Sequence, residues 1–368
     1  MTATYKSTRF RAFPQWLAMF VVAVLATIGC RKLTDSREFG SDPLVEEYWT
    51  LDLDLRELAV KHIVNPLRTK IENRQLPPDT DCAFVLLDAA TGDVLVYIAT
   101  IQPNVEFDSA QNLTRSCGSI AKLMVYAAAL QVHAIEPDVQ LLDAPRSFPC
   151  PECQGGVWQP DNYGNQYANA PIPLIEAFAW SKNIPAVDVY QRLRREDFVA
   201  VLNGLDLSLP KNFTTAPLGV EWAPLQLASA HSAFVNHGVP AKPRFLSHRI
   251  INGQRHETPI VKRPAVFRED VCQWVIAAGR LCLREGTGHY AADLSDVLAG
   301  KTGSSDSALV AMFGPRVSAV IWIGNRQTNE DLRATGGRLA LPHLAEFFRA
   351  VRRVRPTLLP TWNRNIGG

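Results

Sequence analysis

The 368-residue chain is predicted to be an α+β protein, an antiparallel sheet packed with helices and extended by an all-helical lobe. Three observations lead there. Short β-rich runs punctuated by Gly and Pro occur near residues 82–99 and again near 296–324, as in antiparallel strands joined by tight turns. Between them, residues 116–285 read as mostly helical, and a last helix is expected near 338–352. With 47% hydrophobic and 20% charged residues, the chain is globular, with room for one large domain or two smaller ones.

At the N-terminus, Lys6, Arg9 and Arg11 precede an apolar run from Phe13 to Gly29 that ends at Cys30 and is followed by Arg31 and Lys32. The run is long for a signal-peptide core and slightly short for a membrane span. Residues 1–36 are therefore read as a signal anchor or a lipoprotein signal, with more positive charge before the run than after it placing the N-terminus in the cytoplasm. Gly29-Cys30 is similar to a lipoprotein cleavage site, although Thr27 stands where Leu is usual; Cys30 is the lipid anchor in that reading, and an uncleaved helix is the favoured one. In both, the rest of the chain lies outside the cytoplasm. Residues 37–76 are expected to be a juxtamembrane linker and helix, 77–355 the main domain, and 356–368 a C-terminal tail.

The middle of the chain carries three short motifs in order: Ser119-Ile120-Ala121-Lys122, Ser181-Lys182-Asn183 and Lys301-Thr302-Gly303, separated by 62 and 120 residues. A pattern S-x-x-K arises by chance roughly once in such a chain, and K-T-G in about one chain in ten or twenty, so order and context must decide. Gly118 precedes a helical run in which Ile120, Met124 and Ala127 recur at helical spacing. Ser119 then falls in the first turn, with Lys122 at i+3 on the same face. A serine hydroxyl is a poor nucleophile at neutral pH, and a lysine can take its proton only when burial or a nearby cation depresses the lysine pKa. In that chemistry Ser181 is a proton relay, Asn183 an amide for a substrate carbonyl, and Lys301 the second cation. Lys301 and the Thr302 hydroxyl would also anchor a carboxylate. The strand carrying Gly303 would bring the backbone N–H of Ser304 beside that of Ser119, making a pair of donors for an oxyanion.

Apart from Cys30, six cysteines remain, at 82, 117, 150, 153, 272 and 282. Cys150 and Cys153, in a loop with Pro149 and Gly155, suit a local disulfide or half a metal site; no second C-x-x-C exists, so the pair is read as structural and no metal is expected. Cys117, two residues before Ser119, is a rival nucleophile without a histidine constellation, and is read as a small buried residue. Lys and Arg are dispersed around a net charge of +2, with no basic block interleaved with aromatics, so no nucleic acid is expected as a partner.

The three motifs together resemble the signature of the penicillin-binding protein and β-lactamase families. The chain is most similar to the transpeptidase domain of penicillin-binding proteins, especially that of the bifunctional class A enzymes. Thr50-Leu-Asp-Leu-Asp-Leu-Arg resembles the entry to that domain, and Ala83-Phe-Val-Leu-Leu-Asp-Ala-Ala-Thr-Gly-Asp-Val-Leu its opening hairpin. Asn162-Tyr-Gly-Asn-Gln-Tyr, Leu218-Gly-Val-Glu-Trp-Ala-Pro-Leu-Gln-Leu-Ala, Phe234-Val-Asn-His-Gly, Glu285-Gly-Thr-Gly and Thr335-Gly-Gly-Arg-Leu-Ala-Leu-Pro continue the likeness over residues 45–350. The resemblance implies the penicillin-binding protein/β-lactamase-like fold. It also implies acylation of Ser119 by the penultimate D-Ala of D-Ala-D-Ala stem peptides, transfer to an amine or water, reaction with β-lactams, and no cofactor. The implied location is the cytoplasmic membrane with an extracytoplasmic, periplasmic catalytic domain.

Departures are also visible. Leu123 follows Lys122 where the family often has Pro, and Ser304-Ser-Asp-Ser follows Gly303 where an acidic residue and Trp are usual. Fewer than 50 residues precede Thr50, short of a glycosyltransferase domain, so that activity is expected from a separate protein. Two further functions compete. A class A β-lactamase needs a Glu followed four residues on by Asn, whereas Glu221 is followed by Leu225, and the class D-like Tyr163-Gly-Asn precedes Ser181 in the wrong order. A non-catalytic sensor or scaffold does not need three intact motifs.

Overall fold

The computed structural model describes residues 45–362 except 104, 114, 210–213, 327–331 and 333; the expected anchor, Cys30 and the end of the tail lie outside the described residues. Among the described residues no helix is long and apolar enough to cross a membrane.

Strand β1 (Val45–Trp49) leads into helix α1 (Leu53–Ala59), where the Asp52 carboxylate accepts from Leu55 N at 3.0 Å and satisfies a donor of the first turn. A π turn (Val60–Val64) joins α1 to α2 (Asn65–Glu72). Pro66, at the start of α2, lacks an N–H and crowds the carbonyl four residues back, and the helix widens just before it. Strands β2 (Thr80–Asp88) and β3 (Val94–Ile98) form a hairpin whose turn is closed by Asp88 Oδ1 accepting from Ala90 N and Thr91 N. A 3₁₀ turn (Gly118–Ile120) opens α3 (Ala121–Gln131), and Ala121 to Leu130 are buried without exception. An amphipathic helix would expose one face; α3 is buried all round, with Lys122 its one charged side chain, and runs through the core.

The stretch read as helical also holds short strands: β4 (Gln140–Leu142) pairs with β7 (Pro171–Pro173), and β5 (Phe148–Pro149) with β6 (Val157–Trp158), closed by the Cys150–Cys153 disulfide. Helices α4 (Leu174–Ala179), α5 (Asn183–Arg192), α6 (Arg195–Gly204) and α7 (Pro224–Ser232) follow. Strands β8 (Leu246–Ile251) and β9 (Gln254–Glu257) come next, and β1, inside the segment read as linker, pairs with β8 to make a sheet ordered β1-β8-β9. Helix α8 (Glu269–Arg284), strands β10 (Ala299–Ser304), β11 (Ala308–Gly314) and β12 (Val317–Asn325), and helix α9 (Ala340–Val354) complete the chain.

The main sheet is ordered β10-β11-β12-β2-β3, antiparallel throughout, and joins strands from opposite ends of the sequence where Leu86 faces Ala319. Successive side chains alternate between its faces. Ala83, Val85 and Leu87 belong to a core shared with α3, α4, α7 and α8, whereas Cys82, Phe84 and Leu86 pack with α1, α2 and α9. The α+β architecture and the helical lobe are those the sequence predicts.

Candidate active site

Edge strand β10 lies directly against the turn that carries Ser119. Gly118 adopts φ +53, and a Cβ there would stand 2.5 Å from the Ser304 carbonyl oxygen; at Gly303 it would stand 2.7 Å from the Cys117 carbonyl. Only glycine fits a left-handed backbone under such close approach. Ser305 Oγ donates to Ser116 O at 3.0 Å and Cys117 N donates to Val220 O at 2.8 Å, which fixes the turn on both sides. Ser119 is half-buried, and among the described residues its hydroxyl makes no hydrogen bond.

Lys122 and Lys301 are both 0% exposed, and both converge on Ser181. Lys122 Nζ donates to Ser181 O at 2.6 Å, Asn183 Oδ1 at 2.6 Å and Ser181 Oγ at 3.3 Å. Lys301 Nζ donates to Ser181 Oγ and Thr302 O, each at 2.8 Å. Burial, then the charge of Lys301, pushes the Lys122 amine well below its ordinary pKa, while burial brings Lys301 down to about 8. Two lysines with depressed pKa values around one hydroxyl mark this junction as the candidate functional site.

The local chain conformation explains how Ser181 reaches both. Ser181 has φ +56, a left-handed value that costs a non-glycine residue of order 1–3 kcal/mol. It terminates α4: Ser181 N donates to Phe178 O and Lys182 N to Ala177 O, the hydrogen-bond pattern of a left-handed helix cap. Asn183 then begins α5, so the motif is the hinge between two helices. Asn162 caps α5, its Oδ1 accepting from Asn183 N at 2.8 Å, while its Nδ2 donates to Asp143 Oδ1 at 2.5 Å. Asp143 is fully buried and pairs with Lys182 Nζ at 3.0 Å. Asn183 Nδ2 donates to Asp161 O at 2.5 Å, so one of its two amide hydrogens already has a partner.

All the residues of the three motifs are thus gathered at one junction of sheet edge and lobe. Thr302 is 5% exposed with Oγ1 2.5 Å from Thr287 Oγ1, and Ser304 Oγ accepts from Gly336 N at 2.9 Å. Cys117 is fully buried, its thiol pushed up to about 12 by burial, which makes it unreactive. Asp143, Asn162 and Thr287 were missed by motif reading. Asn162 and Thr287 do sit inside the segments 162–167 and 285–288 that carry the family resemblance, the one signal that could have found them.

The family description "Penicillin binding protein transpeptidase domain" matches residues 82–309. Penicillin-binding protein 1A of Aquifex aeolicus is 27% identical over 290 residues, 77% of this chain and 39% of that protein. The chain spans less than half the length of the curated relatives it matches. Among solved structures, penicillin-binding protein PonA1 of Mycobacterium tuberculosis superposes with a TM-score of 0.71 at 19% identity over 88% of each chain. Its complex with penicillin V superposes at 0.70, also at 19% identity and 88% coverage of each. With the family matched across more than half its length, the chain belongs to the penicillin-binding protein transpeptidase domain family.

Proposed function

We propose that this chain is a peptidoglycan D,D-transpeptidase or D,D-carboxypeptidase that works through a Ser119 acyl-enzyme and is acylated by penicillins. The observation that carries the reading is the pair of fully buried lysines sharing the Ser181 hydroxyl beside the Ser119 turn. With Lys301 charged, a neutral Lys122 amine is favoured and can accept the Ser119 proton. Ser119 Oγ attacks the carbonyl of the penultimate D-Ala, and the N–H groups of Ser119 and Ser304 stabilise the oxyanion. The terminal D-Ala leaves as the proton returns to its nitrogen through Ser181. An amine or water then attacks the ester and frees Ser119. Lys301 and Thr302 hold the terminal carboxylate, Gly303 admits the backbone at close range, and Asn183 orients the substrate amide.

Residues 77–355 carry this activity and residues 1–36 tether it to the cytoplasmic membrane, on the extracytoplasmic side where stem peptides are. The solved PonA1–penicillin V complex supports β-lactams as ligands of the same fold. The test is to label the full chain with a fluorescent penicillin, remove the excess and follow retention. Stable label is expected. Rapid loss would indicate a β-lactamase, and no label a scaffold.

A further inference from the structure

Thr287 touches the third motif and the end of the helix that leads into the second. Its backbone N donates to Ala179 O at 3.1 Å, at the end of the helix that leads into Ser181. Its hydroxyl lies 2.5 Å from that of Thr302 and 3.5 Å from the Sγ of Cys282, a fully buried thiol on α8. The approach is tight: a Cβ at Gly286 would stand 2.2 Å from Ala179 O, and one at Gly337 would stand 2.7 Å from Thr287 O.

The polarity of this chain of donors follows from chemistry. A carboxylate only accepts hydrogen bonds, and each hydroxyl has one hydrogen. When Thr302 donates to a ligand carboxylate, its oxygen is free to accept only from Thr287. The Thr287 oxygen then accepts from the Cys282 S–H, a weak donor. One direction, from thiol to hydroxyl to hydroxyl to ligand, satisfies every group. We propose that Thr287 is a positioning residue that aims the Thr302 hydroxyl hydrogen at the carboxylate of the ligand, without touching the ligand itself. The assignment rests on the reading above, in which that carboxylate docks at Lys301 and Thr302.

The experiment measures the second-order rate of labelling of the full chain by a fluorescent penicillin and by its carboxylate methyl ester. Thr287→Val, which keeps the shape and loses the hydroxyl, should slow the free acid about tenfold, the effect of one misdirected hydrogen bond, chiefly through affinity. It should leave the ester rate unchanged, and Thr287→Ser should restore the free-acid rate. In a Thr302→Val background, Thr287→Val should have no further effect, since the two hydroxyls act as one unit. Equal slowing of acid and ester, a Thr287→Val rate equal to wild type, or additive losses in the double variant would each overturn the assignment. So would a Thr287→Ser variant as slow on the free acid as one lacking the hydroxyl, and Thr287→Ala replaces Thr287→Val if the latter does not accumulate folded. A wild-type chain that takes no label would overturn the transpeptidase reading itself, an outcome distinct from all of these.

Discussion

On one face of the main sheet, Phe84 packs edge-on to Phe347 at a centroid distance of 5.1 Å, within a cluster that includes Met312, Ile321 and Leu344. On the other, Val85, Phe313 and Trp322 share a layer with His231, Lys122 and Lys301, all fully buried. His231 lies between Phe234 and Phe313 with both ring nitrogens lacking a hydrogen-bond partner among the described residues, and burial pulls its pKa to about 3, so it stays neutral. The same strands supply both layers by alternation. Burying amines costs stability unless each finds partners, and a charge costs more. The first face gains free energy by plain apolar packing, and that gain offsets the cost of the polar groups buried on the second.

The largest effect is expected at Ser119. Ser119→Ala should abolish covalent penicillin labelling and leave the thermal midpoint unchanged; an adduct mapped by mass spectrometry to Cys117 or Ser181 would reassign the site. Lys122→Ala should lower the acylation rate by about two to four orders of magnitude while reversible binding persists. In the wild type the rate should fall as pH drops through the depressed Lys122 pKa, because the protonated amine accepts no proton. It should fall again above about 8, where Lys301 loses the charge that holds the carboxylate, giving a bell whose limbs belong to the coupled pair. A Lys122→Ala variant that acylates at the wild-type rate would remove Lys122 from the mechanism.

On the apolar face the prediction reverses. Phe347→Ala should cost about 3–5 kcal/mol of stability, read by denaturant unfolding, with the acylation rate per folded molecule unchanged. A large rate loss there would show that the two faces are not separable. Lys301→Ala sharpens the contrast within the polar face: it should weaken ligand affinity by roughly 1.5–3 kcal/mol, the worth of a hydrogen bond to a charged group, more than it slows the chemical step. Saturation kinetics separate the two.

Much of this was legible without coordinates, for reasons of range. The α+β layout follows from the short β-rich runs in 82–99 and 296–324 and the helical stretch between them. The candidate set follows from three short patterns, with Gly118 just before a helical run and Lys122 one turn beyond Ser119. The helical lobe was legible too, but its strand pairs were not, since β4 and β7 are three residues each and carry almost no periodic signal.

Local propensity and side-chain periodicity act over a few residues, so the sequence by itself determined the strands of the main sheet, the central helix and the identity of the motif residues. Tertiary structure alone decided how those residues meet. Ser181 takes a left-handed conformation because α4 ends there and Asn162, 21 residues before Asn183, caps the next helix. Thr287 reaches Thr302 across 15 residues, and Lys301 reaches Ser181 across 120. Such contacts form only after the intervening chain has closed and packed, and the packing that buries both amines is also what lowers their pKa values.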